Sequence, residues 1–226
     1  MFSGFENMAK ILVGVPSNGQ WYSFTAQSVN QLLQKTQACG HAVALSTQDG
    51  SLLPGNRNEL AQRAINNQCD YLFFADADMS FHPETIDHLV NQKKDIIGLN
   101  YLTRSSNIAR FTGIGEDDSE IVTSEESTGN ERAMMIGTGA MLINTRVLET
   151  MRELMLKQSN KSNYPWFNFA VGAQGKIIGE DYSFCFTAGE LGFEVWINHD
   201  MSKYVKHIAK VHLSFQHHGL DLKSLR

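Results

Sequence analysis

The sequence has little cysteine and no pattern that would use it. Cys39, Cys69 and Cys185 are odd in number, widely separated and form no C-x-x-C pair. That spacing argues against a disulfide framework and a thiolate zinc site. Reduced, mostly buried thiols are expected. Basic charge is also scarce: 19 Lys and Arg stand against 24 Asp and Glu, a formal net charge of -5. Such a balance creates no general field for nucleic acid or an anionic membrane, leaving only a local basic groove for partners of that kind. Long hydrophobic runs are missing too. Met1 to Lys10 holds no apolar run of signal-peptide length, and no later stretch reaches membrane-spanning length. A cytoplasmic enzyme with no membrane insertion is therefore expected. There is no internal repeat and no low-complexity tract.

What is present is ordinary globular composition, 42% hydrophobic and 19% charged over 226 residues, suited to one compact domain spanning 1–226. Ile11 to Val15 is a short apolar run closed by Pro16-Ser17-Asn18-Gly19, the pattern of a buried strand ending in a turn. Ala26, Val29, Leu32 and Leu33 recur at helical spacing before Gly40. His41 to Leu45 reads as a strand, and Leu60, Ala61, Ala64 and Ile65 mark a second helix. Tyr71 to Ala75 is apolar throughout, as a strand covered on both faces is. Ile86, Leu89 and Val90 stripe a third helix, with Pro83 and Glu84 suited to its first turn. Asp95 to Leu99 is another strand. The polar, acidic stretch within 104–132 reads as a surface hairpin or mobile excursion. Beyond it come a strand from Ala140 to Ile143 and a helix carrying Val147, Leu148, Met151, Leu154 and Met155. Gln158 to Gly179 reads as a long loop, Glu180 to Leu191 as a helix, and Val195 to Asn198 as a last strand. Strands alternating with helices predict an α/β domain whose sheet is mixed, mostly parallel and flanked by helices.

Chemistry concentrates at Asp76-Ala77-Asp78. Two carboxylates one residue apart follow an apolar strand, at the end of an open α/β sheet where ligands bind. A nucleoside diphosphate needs a hard divalent cation across its phosphates, and carboxylate oxygens suit one. Alone, D-x-D is weak. A solvated turn explains it as well, and a phosphatase-type D-x-D competes, although that motif follows the first strand of its domain. Arg57 offers a guanidinium fork that suits phosphate oxygens, or stands as a plain surface residue. Trp166 offers a ring for an acceptor sugar face, or for core packing. Trp21 is a candidate neighbour of a nucleobase.

Five segments, in order, resemble family 2 glycosyltransferases and related enzymes of the GT-A fold. Ile11 to Ser17, with Pro16 and Ser17 at its end, is similar to their nucleotide-facing first strand. Asn56-Arg57-Asn58, preceding a helix, then Asp70-Tyr71-Leu72-Phe73-Phe74-Ala75-Asp76-Ala77-Asp78, resemble their "R-N…D-Y-hydrophobic-D-x-D" run. Gly137-Thr138-Gly139-Ala140-Met141-Leu142 resembles the Gly-rich acceptor-side loop. Glu180-Asp181 resembles the pair that supplies the base, and Val205-Lys206-His207-Ile208 the late histidine of the metal site. The resemblance spans residues 10–210.

That resemblance implies roles. Asp78 and His207 would hold Mn2+ (or Mg2+), and Asp76 would contact the nucleotide ribose and reach the metal through water. Pro16, Ser17, Arg57, Gly137, Thr138 and Gly139 would line the nucleotide-sugar site, and Trp166 the acceptor site. Asp181 would take the acceptor proton during an inverting displacement, with Glu180 in reserve; helix capping is the rival explanation of the pair. His212, His217 and His218 compete with His207 but lack its local pattern. The implied reaction moves a sugar from a nucleoside diphosphate, most simply UDP, to the hydroxyl of a glycan, protein, lipid head group or modified nucleobase. A sugar-nucleotide nucleotidyltransferase shares that fold and metal, but the turn after the first strand carries no Lys or Arg. A non-catalytic nucleotide-sugar or glycan-binding module is the alternative outside enzymes.

Overall fold

The structure is a computed structural model that describes residues 8–103, 109–158 and 166–208. His212, His217, His218, Tyr164 and Pro165 lie outside the described residues. The chain runs β1 (Lys10–Ser17), α1 (Ser23–Ala38), β2 (Ala42–Asp49), α2 (Leu53–Asn66), β3 (Tyr71–Ala75), β4 (Met79–Ser80), α3 (Thr85–Asn91) and β5 (Ile96–Gly98). It continues through β6 (Asn130–Ala133), β7 (Ala140–Asn144), α4 (Thr145–Gln158), β8 (Ala170–Val171), β9 (Ile177–Ile178), α5 (Glu180–Glu190), β10 (Val195–Asn198), α6 (His199–Ser202) and β11 (Lys206–His207).

Seven strands form the central sheet in the order β2-β1-β3-β7-β5-β10-β6. β1 is parallel to β2 and β3, and β5 is parallel to β10. β7 pairs antiparallel with both β3 and β5, and β6 antiparallel with β10, so five strands share one direction. Successive side chains of a strand point to opposite faces. Ile11, Val13, Phe73, Ile97 and Leu142 therefore pack in one cluster with Val29 and Leu32 of α1 and Ile86 and Leu89 of α3. Leu12, Leu72, Phe74, Ile96, Met141 and Ile143 pack in the other with Leu60 and Ala64 of α2, Val147 and Met151 of α4 and Phe184 of α5. Unbroken apolar runs are what a sheet covered on both faces requires.

Two expectations need correction, and a third gains detail. α2 starts at Leu53 with proline in its first turn, where a missing N–H costs nothing. Asn56-Arg57-Asn58 therefore lies inside the helix and not before it. The Gln158–Gly179 stretch contains the β8–β9 hairpin, closed by a turn in which Gln174 has φ 62. The excursion within 104–132 is anchored along its described part. Asn100 Nδ2 donates to Ile121 O at 2.8 Å, Asn100 Oδ1 accepts from Gly113 N–H at 2.9 Å, and Tyr182 Oη donates to Thr112 O at 2.9 Å. Its last residues, Asn130–Ala133, become the sheet edge. No helix among the described residues is long and apolar enough to cross a membrane.

Candidate active site

The ends of β1, β2 and β3 open on a cleft of about 650 Å3 lined by Pro16, Ser17, Trp21, Asn56, Asp76 and Asp78, among others. Its floor is tied by side chains. Asn56 Nδ2 donates to Ser17 O at 3.0 Å and Gly50 O at 3.1 Å. Ser17 Oγ donates to Asp49 Oδ1 at 2.5 Å and accepts from Gly19 N–H at 2.8 Å. A Cβ on Gly50 would lie 2.4 Å from Asn56 Oδ1 and would have to displace that side chain. Trp21 and Tyr22 form an aromatic wall on the same cleft.

Asp76 marks the inner boundary of that cleft. Arg57, only 2% exposed, donates from Nη2 to Asp76 Oδ1 at 3.0 Å and Oδ2 at 3.2 Å, and from Nε to Glu180 Oε1 at 3.3 Å. Its guanidinium also lies over Phe74, 5.3 Å from the ring centroid. Arg57 is not a surface residue: Nε and Nη2 are engaged by two carboxylates, while Nη1 is buried with no hydrogen-bond partner among the described residues. Glu180, buried and paired, acts as a counter-ion at the start of α5. Asp181, its neighbour, has its pKa pushed up to about 6, first by burial and then by the charge of Glu180; the Tyr182 N–H and Arg57 act in the opposite direction. A carboxyl group poised there suits a general base near neutral pH. The cap of α5 is Gly179, with no side-chain cap bond, so Asp181 is not the helix cap.

Gly137, Thr138 and Gly139 precede β7 across from Asp76. A Cβ on Gly137 would stand 2.4 Å from Tyr101 Oη, and one on Gly139 would stand 2.7 Å from it and 2.9 Å from Asp76 Oδ2. These glycines are thus demanded by Tyr101 and Asp76 themselves. Gly139 N–H donates to Tyr101 Oη at 2.9 Å, and Gly139 O accepts the Asp76 N–H at 3.0 Å. Thr138 is buried, and its hydroxyl makes no hydrogen bond among the described residues. Burial, with Asp76 second, holds the Tyr101 phenol well above its usual pKa.

Asp78 and His207 meet on the far side of the D-x-D turn. β11 pairs with β4, placing His207 opposite Met79, and Ile208 N–H donates to Asp78 O at 2.9 Å. His207 Nε2 stands 3.5 Å from Asp78 Oδ1, while Nδ1 lies 2.8 Å from Leu102 O. A carbonyl can only accept, so Nδ1 carries the proton. In the neutral ring the Nε2 lone pair then faces a carboxylate oxygen. With a second proton on Nε2 the two form an ion pair; with the neutral ring, two acceptors at that separation would have room for a cation between them. Asp76 is turned towards Arg57. Among the described residues no three His, Cys, Asp or Glu side chains converge on one point, so the rest of a coordination sphere would come from ligand oxygens and water.

One predicted site residue is misplaced. Trp166 is 2% exposed within the core that holds Phe167 and Phe184, and its Nε1–H donates to Leu148 O at 2.8 Å. It has no open face for an acceptor sugar. Sequence reasoning missed Tyr101, Asn56 and Asp49. Tyr101 follows a strand and gives no motif, while Asn56 could have been noticed only with α2 correctly started.

No protein-family model matches the chain, and no curated protein does. Among solved structures, A197 from STIV superposes with a TM-score of 0.54 at 14% identity, covering 91% of this chain and 96% of that one. A glycosyltransferase involved in the glycosylation of the major capsid of PBCV-1 gives 0.38 at 10% identity, covering 69% and 72%. A protein described as a glucose-1-phosphate thymidylyltransferase from Bacillus anthracis also gives 0.38, at 12% identity, covering 87% and 92%. The first likeness shows a common fold, and none of the three shows an activity.

Proposed function

We propose that this chain is a metal-dependent glycosyltransferase of the GT-A fold, taking a sugar from a nucleoside diphosphate, UDP in the first instance, to an acceptor hydroxyl with inversion. The observation that carries the reading is the facing pair Asp78 Oδ1 and His207 Nε2, 3.5 Å apart, at the end of a cleft wide enough for a nucleotide. A diphosphate–cation complex supplies both the charge between those atoms and the missing ligands. Mn2+ suits imidazole with carboxylate and phosphate oxygens, and Mg2+ is the substitute. When bound, the ion offsets the charge that builds on the departing diphosphate.

The chain's own residues do the rest. The β1 and β2 ends, stiffened by Asn56 and the Ser17–Asp49 bond, hold the nucleoside against Trp21 and Tyr22. Asp76 accepts from the ribose while Arg57 holds its carboxylate in place. Asp181, beyond Asp76 on the acceptor side, receives the hydroxyl proton as the oxygen attacks the anomeric carbon. Glu180 keeps Arg57 in place.

A panel of nucleotide sugars tested by thermal shift with Mn2+ identifies the donor, since a ligand that binds the native state raises the melting temperature. Mn2+-dependent release of free nucleoside diphosphate then separates an enzyme from a binding module. If no nucleotide sugar shifts the melting point with Mn2+, or Asp78→Asn shifts as the wild type does, the reading fails.

A further inference from the structure

We infer that Tyr101 is a positioning residue that sets the geometry of both His207 and the Asp76 backbone, one through its ring and the other through its hydroxyl. Tyr101 is 8% exposed, and its hydroxyl accepts the Gly139 N–H at 2.9 Å. Gly139 O in turn accepts the N–H of Asp76 at 3.0 Å. The hydroxyl therefore fixes the turn on which Asp76 hangs, two bonds away along a short chain. The opposite part of the residue faces His207. The two ring centroids are 5.5 Å apart at an interplanar angle of 90°, the edge-to-face arrangement that aromatic pairs favour. The next residue completes the device, because Leu102 O receives the Nδ1–H of His207 at 2.8 Å.

The two contacts do different jobs. Leu102 O selects the tautomer that leaves Nε2 as an acceptor, and the Tyr101 ring holds the imidazole edge so that Nε2 points at Asp78. A ligand held by such outer contacts depends on them for its affinity. The hydroxyl lies at the other end of the side chain, where it accepts from Gly139 N–H. The glycines at 137 and 139 are the other half of the arrangement: a side chain at either would strike the Tyr101 hydroxyl. An end-of-strand tyrosine outside every motif thus sets the spacing between the D-x-D turn, the glycine loop and the late histidine.

The inference rests on the proposed metal-dependent reaction for its meaning, though its structural half is testable without it. Tyr101→Phe removes only the hydroxyl, and Tyr101→Leu removes the ring as well. Long-range proton–nitrogen NMR of the metal-free protein reads the His207 tautomer and its ring resonances. Electron paramagnetic resonance titration with Mn2+ in saturating UDP reads affinity. The wild type and Tyr101→Phe should show the Nδ1–H tautomer and Mn2+ affinities within about 2-fold of each other, while Tyr101→Phe loses about 10-fold or more in turnover as the Gly139 turn relaxes. Tyr101→Leu should keep the Nδ1–H tautomer, which Leu102 O sets, but shift the His207 ring resonances as the imidazole loses its packing partner and lose about 10-fold in Mn2+ affinity.

A folded Tyr101→Leu with the wild-type His207 ring resonances and Mn2+ affinity would overturn the inference. So would a Tyr101→Phe that loses Mn2+ affinity as far as it loses turnover, an arm that stands even if the leucine variant does not fold. If no Mn2+ binds to the wild type with UDP while the His207 ring resonances still shift in Tyr101→Leu, the positioning role stands and the functional reading is the one that falls.

Discussion

Asp181→Asn tests the acceptor-side assignment in two separable ways, and the first needs no substrate. The Asp181 carboxyl titrates near 3.8 when unfolded and about 6 in the folded chain. A shift of roughly 2 units corresponds to about 3 kcal/mol at about 1.4 kcal/mol per unit. Asp181 is partly exposed, so solvent screening reduces this to about 1–2 kcal/mol. The sign follows from proton counting. Between about pH 4 and about pH 6 the native state holds the Asp181 proton while the unfolded chain releases it, so stability falls as pH rises across that window. The full penalty is present above about pH 6. Asn has no proton to lose. The variant should match the wild type below pH 4, gain on it through the window, and remain about 1–2 kcal/mol more stable at pH 8. Urea unfolding of both proteins across the pH range measures the difference directly, with every other titrating group common to the pair.

The second test is kinetic. Wild-type transfer should rise with pH through about 6 as Asp181 loses its proton. The variant should lose this limb together with roughly 10²–10⁴ of the rate, the usual contribution of a positioned base. Donor and Mn2+ affinity should hardly move. A stability difference that is flat with pH would refute the buried-carboxyl account. Near-normal turnover in a variant that shows the stability gain would refute the base and keep the burial.

Arg57→Met should cost about 3–5 kcal/mol in chemical unfolding, because Asp76 and Glu180 lose their shared counter-ion, and Arg57→Lys should recover only part of it, since one ammonium cannot reproduce a fork that serves two carboxylates. His207→Ala should weaken Mn2+ binding by about 10-fold or more in a titration with UDP, and Asp78→Asn should abolish the metal dependence of donor binding with the melting temperature of the free protein little changed. Trp166→Phe should lose about 1 kcal/mol for the indole hydrogen bond to Leu148 O and leave the acceptor KM unaltered, whereas a raised KM would return Trp166 to the site.

The sequence was most readable where side-chain period and burial agree. Tyr71–Ala75 and Val195–Asn198 were delimited to the residue, and the helix from Glu180 ended within one, because apolar runs bounded by turn or acidic residues leave few choices. The α2 start was not legible. Its apolar buried stripe begins at Leu60, and the turn before that is filled by Asn56, Arg57 and Asn58, polar residues buried through hydrogen bonds and not through apolar packing. β4 and β11 are two residues each, and their pairing depends on a contact across more than 120 residues that no local pattern encodes. Trp166 was ambiguous for a chemical reason: an indole is equally suited to a sugar face and to a core with a carbonyl in reach. Tyr101 was invisible because its function is carried by what it touches.

Three acidic side chains, Asp76, Glu180 and Asp181, stand together here with one buried cation, which ordinarily would be a liability. Arg57 turns it into an ordered arrangement. An ionised carboxylate offers about four acceptor directions, and Asp76 gives two of them to Nη2 while its side chain remains 24% exposed. Pairing with Arg57 therefore leaves acceptor capacity for the proposed ribose hydroxyl while fixing the carboxylate in place. The same guanidinium pairs with Glu180 through Nε. Asp181 responds differently: burial first, and the charge of Glu180 second, hold its proton up to about pH 6. One buried arginine thus separates three chemically similar groups into two carboxylates tied to it and a third that titrates near neutrality, the division that the proposed ribose acceptor, counter-ion and base require.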